Sequence, residues 1–400
     1  MHLVVKDHLV RYVGTHVTPH ALVDGWCDPA FAGVGEAFRE NFADGLETGA
    51  ALSVSVAGRP VVDLWGGWAE PEDRVAWDRD TVVCVFSCSK GLLALVALRL
   101  VEEGRLDLDA PVSRYWPDFG SGAKQSVLVR HLLTHEAGLP AVTRQLPFGS
   151  LRDWDVMTTA LAETDPWWEP GTAHGYHGVT FGYLLGEVLR RITGSLPTEL
   201  FRSTLADRLG VDIDLRATPR QQGRIAELFL APSPDGTFFE HWGPDDLGPK
   251  SFFNPPDCSD VSYTNSAAFR ESEIPGANGF GTARALDRAY SVLACGGQRG
   301  GERIISNDLV AEAGRTHVSG IDRVMNLPTA FGLGFEHTIP EWKFGPSPNA
   351  YGHNGSGGSL GLVDPDVGLS LGYVMNRLYW GKTRDDPRWE RLFDTIYNAL

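Results

Sequence analysis

Two stretches of the chain place a serine three residues before a lysine: Ser87-Cys88-Ser89-Lys90 and Ser121-Gly122-Ala123-Lys124. Such a pair can do nucleophilic acyl transfer when both side chains share one helix face and the amine is neutral, because an unprotonated lysine can take the serine proton. Chance supplies about one Ser-x-x-Lys in a chain of this length, so the surroundings have to decide. Ser121 stands in a Gly-containing polar loop, where Lys124 is expected to be solvated and protonated. Ser87 instead opens residues 88–103, apolar almost all round at Leu92, Leu93, Leu95, Val96, Leu98 and Leu100, with Gly104 as a stop. A helix of that kind must be buried, and burial depresses a lysine pKa by up to roughly 3–5 units. The helix N-terminus adds positive potential that disfavours protonated Lys90 and stabilises negative charge on the Ser87 oxygen. The plain structural alternative is a Ser87 N-cap with Lys90 as a surface cation. Cys88 is a rival nucleophile, without a histidine nearby in sequence to serve it.

A serine–lysine mechanism needs a second proton carrier and a site for the oxyanion. Tyr176, in Gly175-Tyr176-His177-Gly178, precedes a helical pattern at residues 180–192 and offers a phenol. The run Tyr351-Gly352-His353-Asn354-Gly355-Ser356-Gly357-Gly358 offers backbone that a ligand can approach closely, with an N–H at Ser356. By default a loop tyrosine packs and a glycine run turns. Two further signatures read as coincidence. Gly357-Gly358-Ser359-Leu360-Gly361 matches a nucleophile elbow, but strand follows it where helix is required, and no histidine comes after His353. His131 and His135 have zinc-ligand spacing without the glutamate of a metalloprotease, so no metal is expected.

The elements that must position these groups are legible in outline. Residues 50–56 alternate like a strand, Ala57-Gly58 turns, and residues 61–65 run back. Residues 81–86 form a short apolar run leading into Ser87, and residues 126–133 begin another helical segment. Residues 215–275 lack periodicity and are expected to be irregular, a binding loop. Residues 359–363 and 369–375 flank a turn at 364–368, and residues 388–400 suit a final helix. The economical reading is one catalytic unit, with residues 1–86 and 280–400 making an α/β subdomain. Residues 87–279 would be a mainly helical subdomain with irregular loops.

Composition narrows the function classes. A chain of 400 residues, 42% hydrophobic, can bury a large core. Acidic residues outnumber basic ones 51 to 35, a formal net charge of −16, which disfavours nucleic acid or an anionic membrane as partner. Charges at Lys6 and Asp7 interrupt the apolar start before a signal-peptide core forms, and no stretch reaches membrane-span length, so a cytoplasmic protein is expected. The five cysteines, Cys27, Cys84, Cys88, Cys258 and Cys295, are odd in number and scattered, as reduced thiols would be.

Taken together, Ser87-x-x-Lys90, Tyr176 and His353-Asn354-Gly355, in that order, resemble the serine β-lactamase and penicillin-binding-protein superfamily, and more narrowly its class-C-like, family VIII carboxylesterases. Residues 82–91, 129–139, 170–177 and 352–376 carry the likeness, which extends over most of the chain from about residue 45. The resemblance implies a β-lactamase-like α/β fold, an antiparallel sheet flanked by helices with a mainly helical subdomain inserted. It also implies an acyl-enzyme on Ser87, proton shuttling by Lys90 and Tyr176, and an oxyanion hole of the Ser87 and Ser356 N–H groups. His353, Asn354 and Gly355 would bind substrate, and no cofactor is implied. Two departures matter. Gly178 stands where the family has an asparagine, and His353 stands where lactamases have a permanently cationic lysine. Both favour esters over β-lactams or D-amino peptides. Tyr263-Thr264-Asn265 repeats the family's Tyr-x-Asn pattern but falls in the irregular region. The expected activity is hydrolysis of small-molecule carboxylic esters, with a transacylase as the alternative and Trp154, Trp167 and Trp168 as a possible apolar wall. A binding protein without catalysis is disfavoured by the presence of Ser87, Lys90 and Tyr176. The oligomeric state and the natural acyl group are not readable from sequence.

Overall fold

The computed structural model describes residues 23–231, 236–243, 245–259, 261–381 and 385–400. The charged N-terminal stretch discussed above lies outside these residues. A single antiparallel sheet forms the frame, its strands ordered Val23–Cys27, Arg59–Glu70, Gly49–Val56, Leu369–Met375, Leu360–Asp364, Tyr351–Asn354, Glu336–His337, Pro328–Phe331 and Val318–Ile321. The two ends of the chain meet at its centre, where Gly49–Val56 pairs with Leu369–Met375 in the register Leu52↔Tyr373. The early hairpin turns at Ala57 and Gly58, both left-handed (φ 48° and 74°), as a tight two-residue connection requires.

Residues 50–56 form the strand that their alternation predicts, and despite its serines the strand is buried nearly throughout. A shared acceptor explains this. Asp287, on helix Ala283–Ala294, accepts hydrogen bonds from Ser53 (2.9 Å), Ser55 (2.7 Å) and Ser370 (2.5 Å), so the polar face is covered and satisfied. That helix packs on the three central strands, and helix Cys88–Glu102 packs on Tyr351–Asn354. Gly91 admits the Tyr290 ring between these two helices, and the Tyr290 hydroxyl donates to the Cys88 carbonyl at 2.9 Å.

Helices Cys88–Glu102, Thr180–Thr193 and Pro387–Asn398 fall close to the predicted segments, and Gly194 ends the second in the left-handed conformation (φ 80°). The segment predicted from residue 126 instead starts its α-helix later, at Val129–Leu133, after a 3-10 turn. Residues 215–275 are not uniformly irregular: they hold short helices at Leu247–Phe252 and Ala267–Arg270. Among the described residues no helix is long and apolar enough to cross a membrane.

Candidate active site

Strand Val83–Phe86 delivers the chain to Ser87 through a kink, with Phe86 in the left-handed region (φ 45°), a conformation that costs a non-glycine residue about 1–2 kcal/mol. Ser87 caps helix Cys88–Glu102 without making a side-chain cap bond. Its oxygen is left for other partners: Lys90 Nζ lies 3.1 Å away, and the Tyr176 hydroxyl donates to it at 2.8 Å. Lys90 is fully buried, and burial lowers its pKa to about 7, with Cys88 and Glu336 nearby pulling the other way. A neutral amine has two N–H donors and one lone pair. The carbonyls of Gly178 (2.7 Å) and Gly276 (2.8 Å) take the two donors, which turns the lone pair toward the Ser87 hydroxyl.

The loop bearing Tyr176 is fixed from behind. Its backbone N–H donates to both oxygens of buried Asp322, at 3.0 Å each. Asp322 also accepts from the N–H groups of Val324 and Met325 and from the Thr329 hydroxyl. His135 Nδ1 accepts the His177 N–H at 3.0 Å, and His177 Nε2 accepts from Leu139, so both rings present lone pairs and stay neutral. Burial pushes the His177 pKa down to about 3 and that of His135 well below its usual value. The Tyr176 ring stacks on Phe331 with 10° between planes and on Phe252 with 29°.

Strand Tyr351–Asn354 runs into the glycine-rich loop. Gly355 lies so close to the Val85 carbonyl that a side chain there has no room. Ser356 is exposed at the cleft, and among the described residues neither its backbone N–H nor that of Ser87 has an intramolecular acceptor. Both are open to a ligand. Asn354, Gly355 and Ser356 line a cleft of about 910 Å³ including its mouth, with Ser87 and Tyr176. His353 is placed differently from expectation. It is 1% exposed and sits beside Tyr176, ring centroids 5.9 Å apart, with Nδ1 on its neighbour's carbonyl, so it borders the tyrosine rather than the cleft.

The apolar wall is also not where the tryptophans predicted it. Trp154 bonds Glu187, Trp167 bonds the Ala141 carbonyl, and Trp168 packs under Gly175, which holds the Tyr176 loop up. The cleft is walled instead by Phe239, Phe252, Phe331 and Trp380, with Met325. Phe252 comes from the supposedly irregular region and fills the space beside Gly178, since a Cβ at Gly178 would lie 3.0 Å from its ring. The aromatic density of residues 238–253 was the available signal. Asp322 left none.

The decoys separate cleanly. Lys124 is not solvated: it is 1% exposed, its amine bonded to the carbonyls of Ala162 and Thr164. Ser121 is exposed, and among the described residues its hydroxyl bonds neither the Lys124 amine nor a tyrosine hydroxyl. Ser359 is buried just before a strand, Tyr263 packs on Phe148 and Phe269, and Asn265 clamps the Leu228 backbone. His131 accepts the Leu128 N–H as a helix cap, and no metal-binding cluster occurs among the described residues. The Cys88 thiol donates to the His353 carbonyl, and burial raises its pKa, which keeps it protonated. Cys27, Cys84 and Cys295 are likewise free, and the Cys258 side chain lies outside the described residues.

The chain and its fold are similar to known proteins. A family model described as Beta-lactamase matches residues 38–394. Esterase/beta-lactamase LipL of Mycobacterium tuberculosis (strain ATCC 25618 / H37Rv) is 37% identical over 383 residues, 93% of this chain and 87% of its own. Among solved structures, a family VIII carboxylesterase is 36% identical with a TM-score of 0.87, covering 94% of this chain and 100% of that one. A penicillin-binding protein homolog from Caulobacter crescentus is 36% identical with a TM-score of 0.86, over 94% of this chain and 100% of its own.

Proposed function

Because the chain belongs to the beta-lactamase family, we propose that it is a serine hydrolase cleaving small-molecule carboxylic esters through an acyl-enzyme on Ser87. The observation that carries this reading is the buried Lys90 amine, whose two N–H bonds end on carbonyls while Ser87 Oγ lies 3.1 Å away. Ser87 Oγ attacks the ester carbonyl carbon as Lys90 takes its proton, and the carbonyl oxygen becomes an oxyanion held by the Ser87 and Ser356 N–H groups. As the tetrahedral centre collapses, Tyr176 gives its proton to the departing alkoxide and recovers one from Lys90. Water then attacks the acyl carbon, passes a proton to the same pair, and Ser87 leaves with its hydrogen restored.

The relatives named esterase and carboxylesterase support ester as the substrate class. So does the site: at Gly178 a substrate amide finds the Phe252 ring instead of a side-chain amide, and His353, buried beside Tyr176, stands where a lactamase-type lysine would offer a carboxylate a fixed cation. The reading extends to a cytoplasmic enzyme, in keeping with its free thiols. A panel of p-nitrophenyl esters, a cephalosporin and a D-Ala-D-Ala peptide tests it, with esters expected to have the highest kcat/KM by orders of magnitude. Faster lactam or peptide turnover overturns it. Partition of the preformed acyl-enzyme between water and added amines separates hydrolysis, expected here, from acyl transfer.

A further inference from the structure

We propose that Arg388, with Asp386 and Trp389 beside it, is a positioning clamp that holds the Ser356 N–H in its oxyanion-binding orientation, so that its loss lowers turnover more than substrate affinity. This rests on the reading of Ser356 as an oxyanion donor.

The loop Gly355-Ser356-Gly357-Gly358 has one bond of its own, from the Gly358 N–H to the Gly355 carbonyl at 3.0 Å, and Trp380 Nε1 donates to the Ser356 hydroxyl at 2.9 Å, so the Gly357 and Gly358 carbonyls depend on other partners. Three of its four residues are glycines, and Gly357 and Gly358 adopt φ of 86° and 125°, conformations open to glycine at the cost of a mobile backbone. On one side the loop is tied to its own strand, Gly355 N–H donating to the Ser359 carbonyl at 2.7 Å. On the other side two of its carbonyls are bonded into the protein. That of Gly357 accepts from Arg388 Nη2 at 2.6 Å and from the Tyr379 N–H at 2.9 Å, and that of Gly358 accepts from Trp389 Nε1 at 3.0 Å. With these carbonyls turned inward and Gly355 pinned, the Ser356 N–H is left facing the cleft.

The guanidinium is itself immobilised. Arg388 is 1% exposed, and its Nε and Nη2 form a two-point pair with Asp386 at 2.9 and 2.6 Å. Its Nη1 donates to the Arg377 carbonyl at 2.8 Å and has Glu47 within 3.5 Å. Any side chain at Gly358 would collide with Nη2, so loop and guanidinium are fitted to each other. Burying an arginine is expensive even when paired, and attaching the C-terminal helix does not require it: Trp389, Leu392, Phe393 and Ile396 already bury an apolar face there. Arg388 does not line the cleft. It acts on the reaction through the loop.

Arg388→Lys keeps the charge and loses the fork, while Trp389→Phe keeps the ring and loses one N–H. Each is compared with wild type for kcat, KM, inhibition by a boronic acid that mimics the tetrahedral adduct, and Tm, with active sites titrated by a fluorophosphonate. The clamp predicts kcat per titrated site down by about tenfold, a fraction of the loss seen when an oxyanion donor is deleted outright, with boronate affinity weakened by the same factor. KM stays within about twofold of wild type. Unchanged kcat per titrated site, or a rise in KM with kcat intact, overturns it. Should Arg388→Lys fail to fold, Trp389→Phe carries the test on kcat and boronate affinity, with KM reporting any direct effect on substrate, since Trp389 also borders the cleft. Ester turnover by wild type in the same assay reports on the esterase reading separately, so an unaffected variant tells against the clamp alone.

Discussion

On the proposed mechanism, Lys90 decides the chemistry at the scale of single residues. Burial lowers its pKa to about 7, so below that pH it is an ammonium that cannot take the serine proton. The expected kcat/KM therefore rises with pH through about 7 and levels above it. Lys90→Arg, permanently protonated, should lose activity by about a thousandfold or more and lose the acid limb with it. A wild-type profile flat from pH 5 to 9 contradicts this assignment. Tyr176→Phe keeps the ring stacked on Phe331 and Phe252, so about a hundredfold loss in kcat is expected with Tm unchanged, measured by steady-state kinetics and thermal unfolding. That Ser87, Lys90 and Tyr176 meet, with Ser356 at the same cleft as Ser87 and Tyr176, was legible in sequence because the proposed chemistry restricts residue type and spacing. Phe252 and Asp322 were not, since they reach Tyr176 from some 76 and 146 residues away along the chain and nothing local marks them.

Among elements, the nucleophile helix shows what periodicity can and cannot convey. An all-round apolar pattern announced that the helix over residues 88–103 is buried, and burial is what lowers the Lys90 pKa. Gly91 shows what the pattern hides. In an isolated helix alanine is the better residue by about 1 kcal/mol. Here a Cβ would strike the Tyr290 hydroxyl and lie 2.9 Å from the Phe335 ring, so Gly91→Ala is expected to destabilise the fold by about 1–3 kcal/mol in urea unfolding. A stabilised variant would mean that the two helices are not packed this closely. Lys124 and the three tryptophans were misjudged for a related reason. Polar or aromatic composition gives no account of which carbonyls or glycines a side chain will meet once distant segments pack.

Across the whole molecule, strands read from both ends of the chain do share one sheet, but their neighbours could not be read. Pairing of residues 49–56 with 369–375 is non-local, and alternation alone gives no sign of what covers the serine face. Asp287 is what closes that face, joining Ser53 and Ser55 from one end of the chain to Ser370 from the other. Asp287→Ala leaves three buried hydroxyls without their acceptor, and a loss of about 2–4 kcal/mol is expected. Activity and tryptophan fluorescence should be lost at the same lowered temperature, because the strand carrying Asn354 belongs to the same sheet. Two separate transitions would contradict that coupling.

The most direct test of the acyl-enzyme is intact mass after brief reaction with a fluorophosphonate or an activated ester. Wild type is predicted to gain one adduct, mapping by peptide sequencing to Ser87, and Ser87→Ala to gain none. An adduct of the same mass on Ser87→Ala, whether on Cys88, Ser359 or elsewhere, would contradict the account.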